Sequence, residues 1–239
     1  MTDNITSQTE EFLESIYRLQ ERDGVAKTSN LVRMLRVAPG TVTNTVERLE
    51  KRGLVTHETY RGVKLSEEGR TIALAVLRRH RLSERLLTDV LRMDWDQVHE
   101  AACRLEHGIT EEVAQNIENM LEGPQTCPHG NPIPPTHGGI AEERTQMLLE
   151  LKDGEAGIAT RITDEGNKTL QRLEILGLRL GVSVEVVRRD YREGTVTVKI
   201  DGTEHVLGSK IASVIRVRRL GEDSYVGQEV EEWTAKTEE

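Results

Sequence analysis

Apolar residues in the first third of the chain recur every three or four positions, which is the spacing of one helical face. Phe12 and Ile16 lie on the first such face, and residues 28–36 form a second, shorter helical stretch. After the break VAPG, the segment TVTNTVERLEK predicts a third helix that ends at Gly53. LVTHETYRGVKLS then predicts two short strands around a turn at Arg61. This order indicates a winged helix-turn-helix with the third helix in the recognition position.

The middle of the chain keeps the helical pattern. We predict a long helix at 67–92, a second helix beginning at Asp94 or Asp96, and a shorter one beginning at Thr110. Three helices beyond a winged-helix unit of ordinary size suggest a dimerisation module. Residues 123–139 are rich in Pro and Gly and are interpreted as a connector.

From about residue 145 the pattern changes to short alternating or β-branched segments. Asp201-Gly202 predicts a hairpin turn, and one helix is expected at 167–176. We expect a small β-barrel of the SH3 type. After Leu220 the chain holds seven acidic residues and one Lys, which predicts a disordered tail.

The predicted fold class is therefore multidomain α+β. A winged helix-turn-helix DNA-binding domain is assigned to 1–73, and a helical dimerisation and metal-binding domain with its connector to 74–140. An SH3-like domain is assigned to 141–220, and an acidic tail to 221–239.

Charge is distributed unevenly. The formal net charge is −9, which argues against nonspecific coating of nucleic acid. Between Lys27 and Lys64, however, eight basic residues face three acidic ones, as a DNA-backbone contact requires. The residues predicted to bind DNA are Lys27, Thr28, Arg36, Pro39, Gly40, Thr41, Thr43, Asn44, Arg48, Lys51 and Arg61.

Two helical stripes carry side chains that bind divalent metals. Residues four apart share a helical face, which places His80 with Glu84. The second stripe contains His99, Cys103, Glu106 and His107. Imidazole, thiol and carboxylate are all donors to transition metals.

Cysteine usage and hydropathy bear on the compartment. Cys103 and Cys127 are the only cysteines, which is too few for a disulfide framework. Neither a signal peptide nor an apolar run of about 18 residues is recognised, so we expect a cytoplasmic protein without a membrane partner. Cys127 and His129 form a CPH triplet that could take a metal, although a tucked loop is the favoured interpretation.

Several motifs resemble one family, the diphtheria-toxin-repressor type of metal-dependent transcriptional repressors. They are TEEFLESIY, APGTVTNTVERLEKRGLV, RHRLSERLLTDV, VHEAACRLEHG and GNPIP. Residues 146–220 are similar to the small ferrous-transport accessory protein. The resemblance implies a homodimeric repressor, not an enzyme, that binds double-stranded operator DNA with a metal ion as corepressor.

The resemblance also implies two metal sites per chain. The regulatory site would use Cys103, Glu106 and His107, closed by Glu11, and the second site would use His80, Glu84 and His99.

The implied ligands mix two branches of the family. Glu11 and Glu14 match manganese-type positions, whereas Cys103 matches the iron type. Asp164 and Glu165 are the candidates to complete the second site. A thiolate suits Fe²⁺ better than Mn²⁺, so Fe²⁺ is favoured and Mn²⁺ is the alternative.

Two other functions compete with a metal-dependent repressor. A winged-helix protein with a purely structural metal would bind DNA equally well with or without a chelator. A metalloenzyme would need a catalytic partner for its metal, and no HExxH sequence is present.

Overall fold

The computed structural model describes residues 5–58, 61–136 and 144–220. The chain forms two compact units. The first comprises Met1–Ile140 together with Glu165–Lys168, and the second comprises Ala141–Asp164 and Thr169–Glu239. Glu165 is therefore part of the first unit, although the chain on both sides of its short segment belongs to the second. The predicted acidic tail lies outside the described residues.

The first unit begins with the predicted winged helix-turn-helix. Its helices are α1 (Ser7–Asp23), α2 (Thr28–Leu35) and α3 (Pro39–Lys51). The wing strands β1 (Val55–Glu58) and β2 (Gly62–Leu65) pair antiparallel. The buried core that these elements share is apolar and includes Phe12, Leu13, Ile16, Leu31, Val42, Leu49 and Val63.

Two local details depend on single residues. Helix α3 begins at Pro39, two residues before the predicted start, because proline loses no hydrogen bond at a first helical position and its φ is already helical. Gly62 has φ +137°, and a Cβ there would lie 2.6 Å from the carbonyl oxygen of Ala26. Only glycine therefore lets the wing approach the segment before α2, where Ala26 pairs with Val63.

Three further helices follow in the first unit. They are α4 (Glu67–Arg85), α5 (Val98–Leu105) and α6 (Glu111–Met120). Ser66 and Thr110 cap α4 and α6, because each side-chain oxygen accepts a backbone N–H from the first turn.

The predicted helix 67–92 is helical as far as Val90 but is not one regular α-helix. Regular α-helix stops at Arg85, and one π-helical turn continues over Leu86–Val90. The Thr88 hydroxyl donates to the Glu84 carbonyl at 2.8 Å, a side-chain bond that competes with the helical pattern. The next helix starts at Val98 rather than at the predicted aspartates, and a 3-10 turn, Glu106–Gly108, follows α5.

The connector folds back on itself. The Cys127 N–H donates to the Asn131 carbonyl at 2.8 Å, and the Gly130 N–H donates to the Cys127 carbonyl at 2.9 Å. Gly130 has φ +82°, which suits a residue without a Cβ. This tight turn buries both Cys127 and His129.

The second unit is a β-domain, as predicted. Its six-stranded sheet has the order β3-β8-β4-β5-β6-β7 with antiparallel pairing. Asp201 and Gly202 both have positive φ, which confirms the predicted hairpin turn. The elements are β3 (Gln146–Met147), β4 (Ala156–Ile162), α7 (Asn167–Ile175), β5 (Ser183–Asp190), β6 (Thr195–Ile200), β7 (Thr203–Gly208), α8 (Ser209–Ala212) and β8 (Ile215–Arg219).

The fold class is thus a winged helix-turn-helix, a helical domain and an SH3-like β-domain. In the part of the chain that the structure describes, no helix is both long enough and apolar enough to cross a membrane.

Candidate metal centre

Helices α4 and α5 each present two donor side chains one turn apart. His80 and Glu84 on α4 are fully buried. His99 and Cys103 on α5 face them. His99 Nδ1 lies 3.0 Å from His80 Nε2 and 3.1 Å from Glu84 Oε1. The two predicted stripes therefore meet where the helices pack.

Four buried residues form what we call the inner group: Glu84, Cys127, His129 and Glu165. Their donor atoms all lie within 4.8 Å of one another. His129 Nδ1 is 3.5 Å from Glu84 Oε1 and 3.7 Å from Glu165 Oε1. Cys127 Sγ is 3.7 Å from Glu165 Oε1. One imidazole, one thiol and two carboxylates thus converge on one point.

Two features of the inner group fit a divalent metal. His129 Nε2 donates to the Trp95 carbonyl at 2.7 Å, which orients the ring so that Nδ1 points toward Glu84 and Glu165. Glu84 Oε2 is buried and has no hydrogen-bond partner among the described residues. An unsatisfied buried carboxylate oxygen is costly, and a bound cation would remove that cost.

A second set, which we call the outer group, consists of Glu14, His80 and Glu106. His80 Nδ1 lies 2.5 Å from Glu106 Oε2. The exposed Cys103 lies beside it, with Sγ 4.0 Å from His80 Nδ1. The outer group shares no residue with the inner group, so the two groups use separate donors.

Two overlapping sets join these groups. One contains His80, Glu84, His99 and Glu165, and the other contains His80, His99 and Cys103. His80 connects the outer and inner groups because its two ring nitrogens face different neighbours. Nδ1 faces Glu106 of the outer group, and Nε2 faces Glu84 of the inner group. The centre is thus one continuous cluster with two separable ends.

The structure differs from the prediction for Glu11, which is exposed and lies in none of these sets. Helical residues advance by about 100°, so position 11 points roughly opposite to the buried stripe of α1, whereas positions 10 and 14 flank that stripe. Glu14 joins the outer group instead. Glu10, which sequence reasoning missed, pairs with His107 at 2.8 Å and with Arg79 at 2.6 Å. Its spacing of four residues from Glu14 was the available signal.

The structure also separates the two acidic candidates near residue 165. Glu165 belongs to the inner group and lies 3.4 Å from His99 Nδ1 through Oε2. Asp164 accepts a hydrogen bond from the Thr169 hydroxyl at 2.7 Å. Cys127, for which the sequence favoured a tucked loop over a metal ligand, is a ligand candidate in the structure. The CPH triplet was the sequence signal for this alternative.

Charges within the cluster shift its protonation. Burial alone would lower the pKa of His80, but the Glu84 charge and contacts with Cys103 and Glu106 raise it well above its usual value. Burial would raise the pKa of Glu84, yet His80 holds it well below its usual range. The pKa of His99 rises to about 9 against burial, because Cys103 and Glu84 favour the charged ring. A divalent metal would therefore displace protons from this cluster.

The pKa values of the two thiols are shifted in opposite directions. Burial raises the pKa of Cys103, but hydrogen bonds with His80 and His99 outweigh it and bring the pKa to about 7. Burial and the charges of Glu84 and Glu165 together raise the pKa of Cys127 well above its usual value. Without a metal ion, Cys127 is thus a thiol beside carboxylates, and binding a cation requires it to lose its proton.

The predicted DNA-contacting residues lie on the surface of the winged helix-turn-helix. Thr43 is fixed by a bond from its hydroxyl to the Pro39 carbonyl at 3.2 Å. In the wing, Arg61 and Lys64 both approach Glu58, at 4.0 and 3.0 Å. The exposed members of the predicted set are Lys27, Arg36, Pro39, Gly40, Thr43, Asn44, Arg48, Lys51 and Arg61, and the half-buried ones are Thr28 and Thr41.

A winged helix-turn-helix that shares a unit with a buried cluster of metal donors defines a metal-responsive DNA-binding protein. Comparison with known families agrees. The N-terminal DNA-binding domain of iron-dependent repressors matches residues 4–63, and their metal-binding and dimerisation domain matches 66–135. A FeoA domain matches 146–219. The chain belongs to the iron-dependent repressor family, whose members are metal-dependent transcriptional repressors rather than enzymes.

Curated relatives align over nearly their whole length. The diphtheria toxin repressor of Corynebacterium efficiens is 33% identical over 229 residues, covering 91% of this chain and 97% of the relative. The iron-dependent repressor IdeR of Mycobacterium tuberculosis is 34% identical, covering 90% of this chain and 99% of the relative.

Solved structures show the same architecture. A manganese-dependent transcriptional repressor in complex with manganese has a TM-score of 0.83 at 33% identity, covering 89% of this chain and all of that one. The IdeR of T. acidophilum has a TM-score of 0.77 at 28% identity, covering 88% of this chain and 97% of that one.

Proposed function

We propose that the protein binds operator DNA as a homodimer and represses metal-homeostasis genes when its inner and outer groups hold divalent metal ions, with Fe²⁺ as the favoured ion. The observation that carries this proposal is the inner group, where a partnerless oxygen of Glu84 and the oriented Nδ1 of His129 meet two further donors. The inner and outer groups have no residue in common, which supports the proposal of two sites per chain.

The outer group supports a corepressor mechanism. Glu14 comes from α1 of the winged helix-turn-helix, whereas His80 comes from α4 and Glu106 from the turn after α5. A bound divalent ion supplies positive charge that offsets the repulsion between the carboxylates. Glu14 is then held against α4, which fixes α1 and the recognition helix α3 that packs in the same core. Metal thereby favours the DNA-competent arrangement.

The donor types support Fe²⁺. A thiolate in the inner group, from Cys127, is a soft ligand that Fe²⁺ accepts better than Mn²⁺. The carboxylates of the outer group suit Mn²⁺ as well, and one similar solved structure is that of a manganese-dependent transcriptional repressor in complex with manganese. Manganese is therefore the second candidate.

The partners follow from the two N-terminal domains. A two-fold dimer presents two recognition helices to successive major grooves, which matches an operator of two half-sites. Basic residues on and around α3 would contact phosphates, and the small polar Thr43 and Asn44 would reach base edges. Several exposed apolar side chains of the helical region are available to a second copy: Val90, Leu91, Leu105, Val113 and Met120. We place the protein in the cytoplasm, with the operator DNA.

Operator binding under anaerobic conditions tests the proposal, with Fe²⁺ and Mn²⁺ titrated separately into metal-stripped protein. We expect both ions to promote binding and Fe²⁺ to act at the lower concentration. If Mn²⁺ acts at the lower concentration, the manganese alternative replaces Fe²⁺. If folded, metal-stripped protein binds the operator as tightly as loaded protein, the metal is structural and the corepressor mechanism is wrong.

A further inference from the structure

One arginine touches carboxylates of both metal groups. Arg18 lies on α1, one turn after Glu14. Its Nε and Nη2 lie 2.9 and 2.8 Å from Glu14 Oε1. Its Nη1 lies 2.6 Å from Glu165 Oε2. The guanidinium thus bridges a residue of the outer group and a residue of the inner group.

Arg18 and the inner group use different oxygens of Glu165. Oε2 accepts from Arg18, whereas Oε1 accepts from Asn131 Nδ2 at 2.6 Å and faces Cys127 and His129 at 3.7 Å each. Arg18 therefore does not contact Oε1, the oxygen of Glu165 that faces Cys127 and His129. A guanidinium that competed with a metal ion would instead cover the oxygen that faces the other donors.

We propose that Arg18 is a positioning residue shared by the two metal groups, holding one oxygen of Glu14 and one of Glu165 so that both carboxylates are aligned for metal binding. The proposal rests on the proposed function, since it requires both groups to bind metal. The planar guanidinium can donate to two carboxylates at fixed angles, which a lysine ammonium cannot do. One side chain thereby connects the geometry of the two sites.

The proposal predicts the direction in which removal of Arg18 changes the affinity for metal. If Arg18 acted only through its charge, its removal would strengthen metal binding, because a nearby positive charge repels a cation. If it aligns Glu14 and Glu165, its removal weakens metal binding, since partners that orient metal ligands contribute about 10- to 100-fold in affinity. Lysine separates the two effects because it keeps the charge and loses the two-sided geometry.

The experiment compares full-length wild-type protein with R18K, R18M and the control R22M. Arg22 lies one turn further along α1 and makes an exposed pair with Asp23, so R22M makes the same substitution away from the cluster. Metal-stripped proteins are titrated with Mn²⁺ and Co²⁺ against a fluorescent chelator. Co²⁺–thiolate absorption separately reports binding by the cysteines. Thermal unfolding in excess chelator shows that each variant is folded before titration.

We expect R18K and R18M to bind both equivalents of metal about 10- to 100-fold more weakly than wild type, and R22M to bind normally. Weaker Co²⁺–thiolate absorption should accompany the loss. Tighter binding by R18M with unchanged R18K would show a charge effect alone and overturn the proposal. Unchanged binding in R18K, or loss of a single equivalent, would also overturn it. If R18M does not fold, metal binding by R18K alone decides the test. Absence of metal binding by wild type would instead refute the proposed function itself.

Discussion

The two ends of the metal cluster differ in how they are enclosed. The inner group has four donors, all buried, and His129 is oriented by the Trp95 carbonyl. The outer group has three buried donors, and the exposed Cys103 stands next to it. Closed four-donor sets are typical of metals that hold a fold together, whereas sets with an open position leave room for exchange.

The origin of the donors differs as well. Among the inner ligands, Cys127 and His129 come from the connector and none comes from the winged helix-turn-helix. The outer group takes Glu14 from α1, the first helix of the DNA-binding domain. Under the proposed function, a metal in the inner group would fix the helical region, and a metal in the outer group would transmit its occupancy to the recognition helix. His80 and Glu84, one turn apart on α4, lie in opposite groups and connect them.

Substitution E84Q should have the largest effect, because Glu84 supports the charged rings of both His80 and His99. Removing one partner of a buried ion pair costs about 3 to 5 kcal/mol, so the unfolding free energy of the metal-free protein should fall by that amount. The inner site should also lose its metal. Urea unfolding in chelator measures the first effect, and metal titration measures the second. The control E100Q changes an exposed residue of α5 and should alter neither. Equal stability of E84Q and E100Q would contradict the assigned role of Glu84.

The pH dependence of metal-free protein should come next in size. The pKa of His99 is about 9 in the folded chain, above the ordinary value of about 6.5 expected when unfolded. Its contribution to stability is therefore complete below about pH 6.5 and is lost as pH rises through 9. The loss from His99 amounts to at most about 3 kcal/mol, and the raised pKa of His80 acts in the same direction. The pKa of Cys103, lowered to about 7, adds stability over the same range and offsets part of this loss.

Urea unfolding in chelator between pH 6.5 and 9 checks this dependence. The variant H99Q should show a shallower decline than wild type, while metal affinity of wild type should rise over the same range because fewer protons must be displaced. If H99Q declines as steeply as wild type, His99 does not carry its assigned charge.

The winged helix-turn-helix can be predicted from the sequence far better than the inner group. Local periodicity is sufficient for the winged helix-turn-helix, because its helix faces and hairpin turn are encoded by neighbouring residues. The pairing of His80 with Glu84 follows from a single helical turn. The inner group does not, since residues near 84, 127 and 165 converge only through tertiary packing. The sequence favoured a tucked loop for the connector because its Pro and Gly content predicts how the backbone turns. That content does not show that the turn buries Cys127 and His129 beside other donors.

The two cysteines provide the next test of the comparison. C127S should weaken inner-site binding by about 100-fold, whereas C103S should weaken outer-site binding by about tenfold or less, because Cys103 lies 3.8 to 4.0 Å from the rings and is exposed. Metal titration measures both. Loss of Co²⁺–thiolate absorption in C127S and its retention in C103S would identify the principal thiolate. The reverse result would restore Cys103 as the main ligand, as the family resemblance implies.

The smallest predicted effect distinguishes Glu14 from Glu11. E14Q removes a charge from the outer group, so the metal concentration needed for operator binding should rise about tenfold, at the lower end of what losing a supporting group costs. E11Q changes an exposed residue three positions away and should leave that concentration unchanged. Operator binding at graded Mn²⁺ compares them directly, with inner-site affinity as an internal control. If E11Q shifts the curve more than E14Q, α1 must rotate when metal binds, and the outer group would then be completed by Glu11.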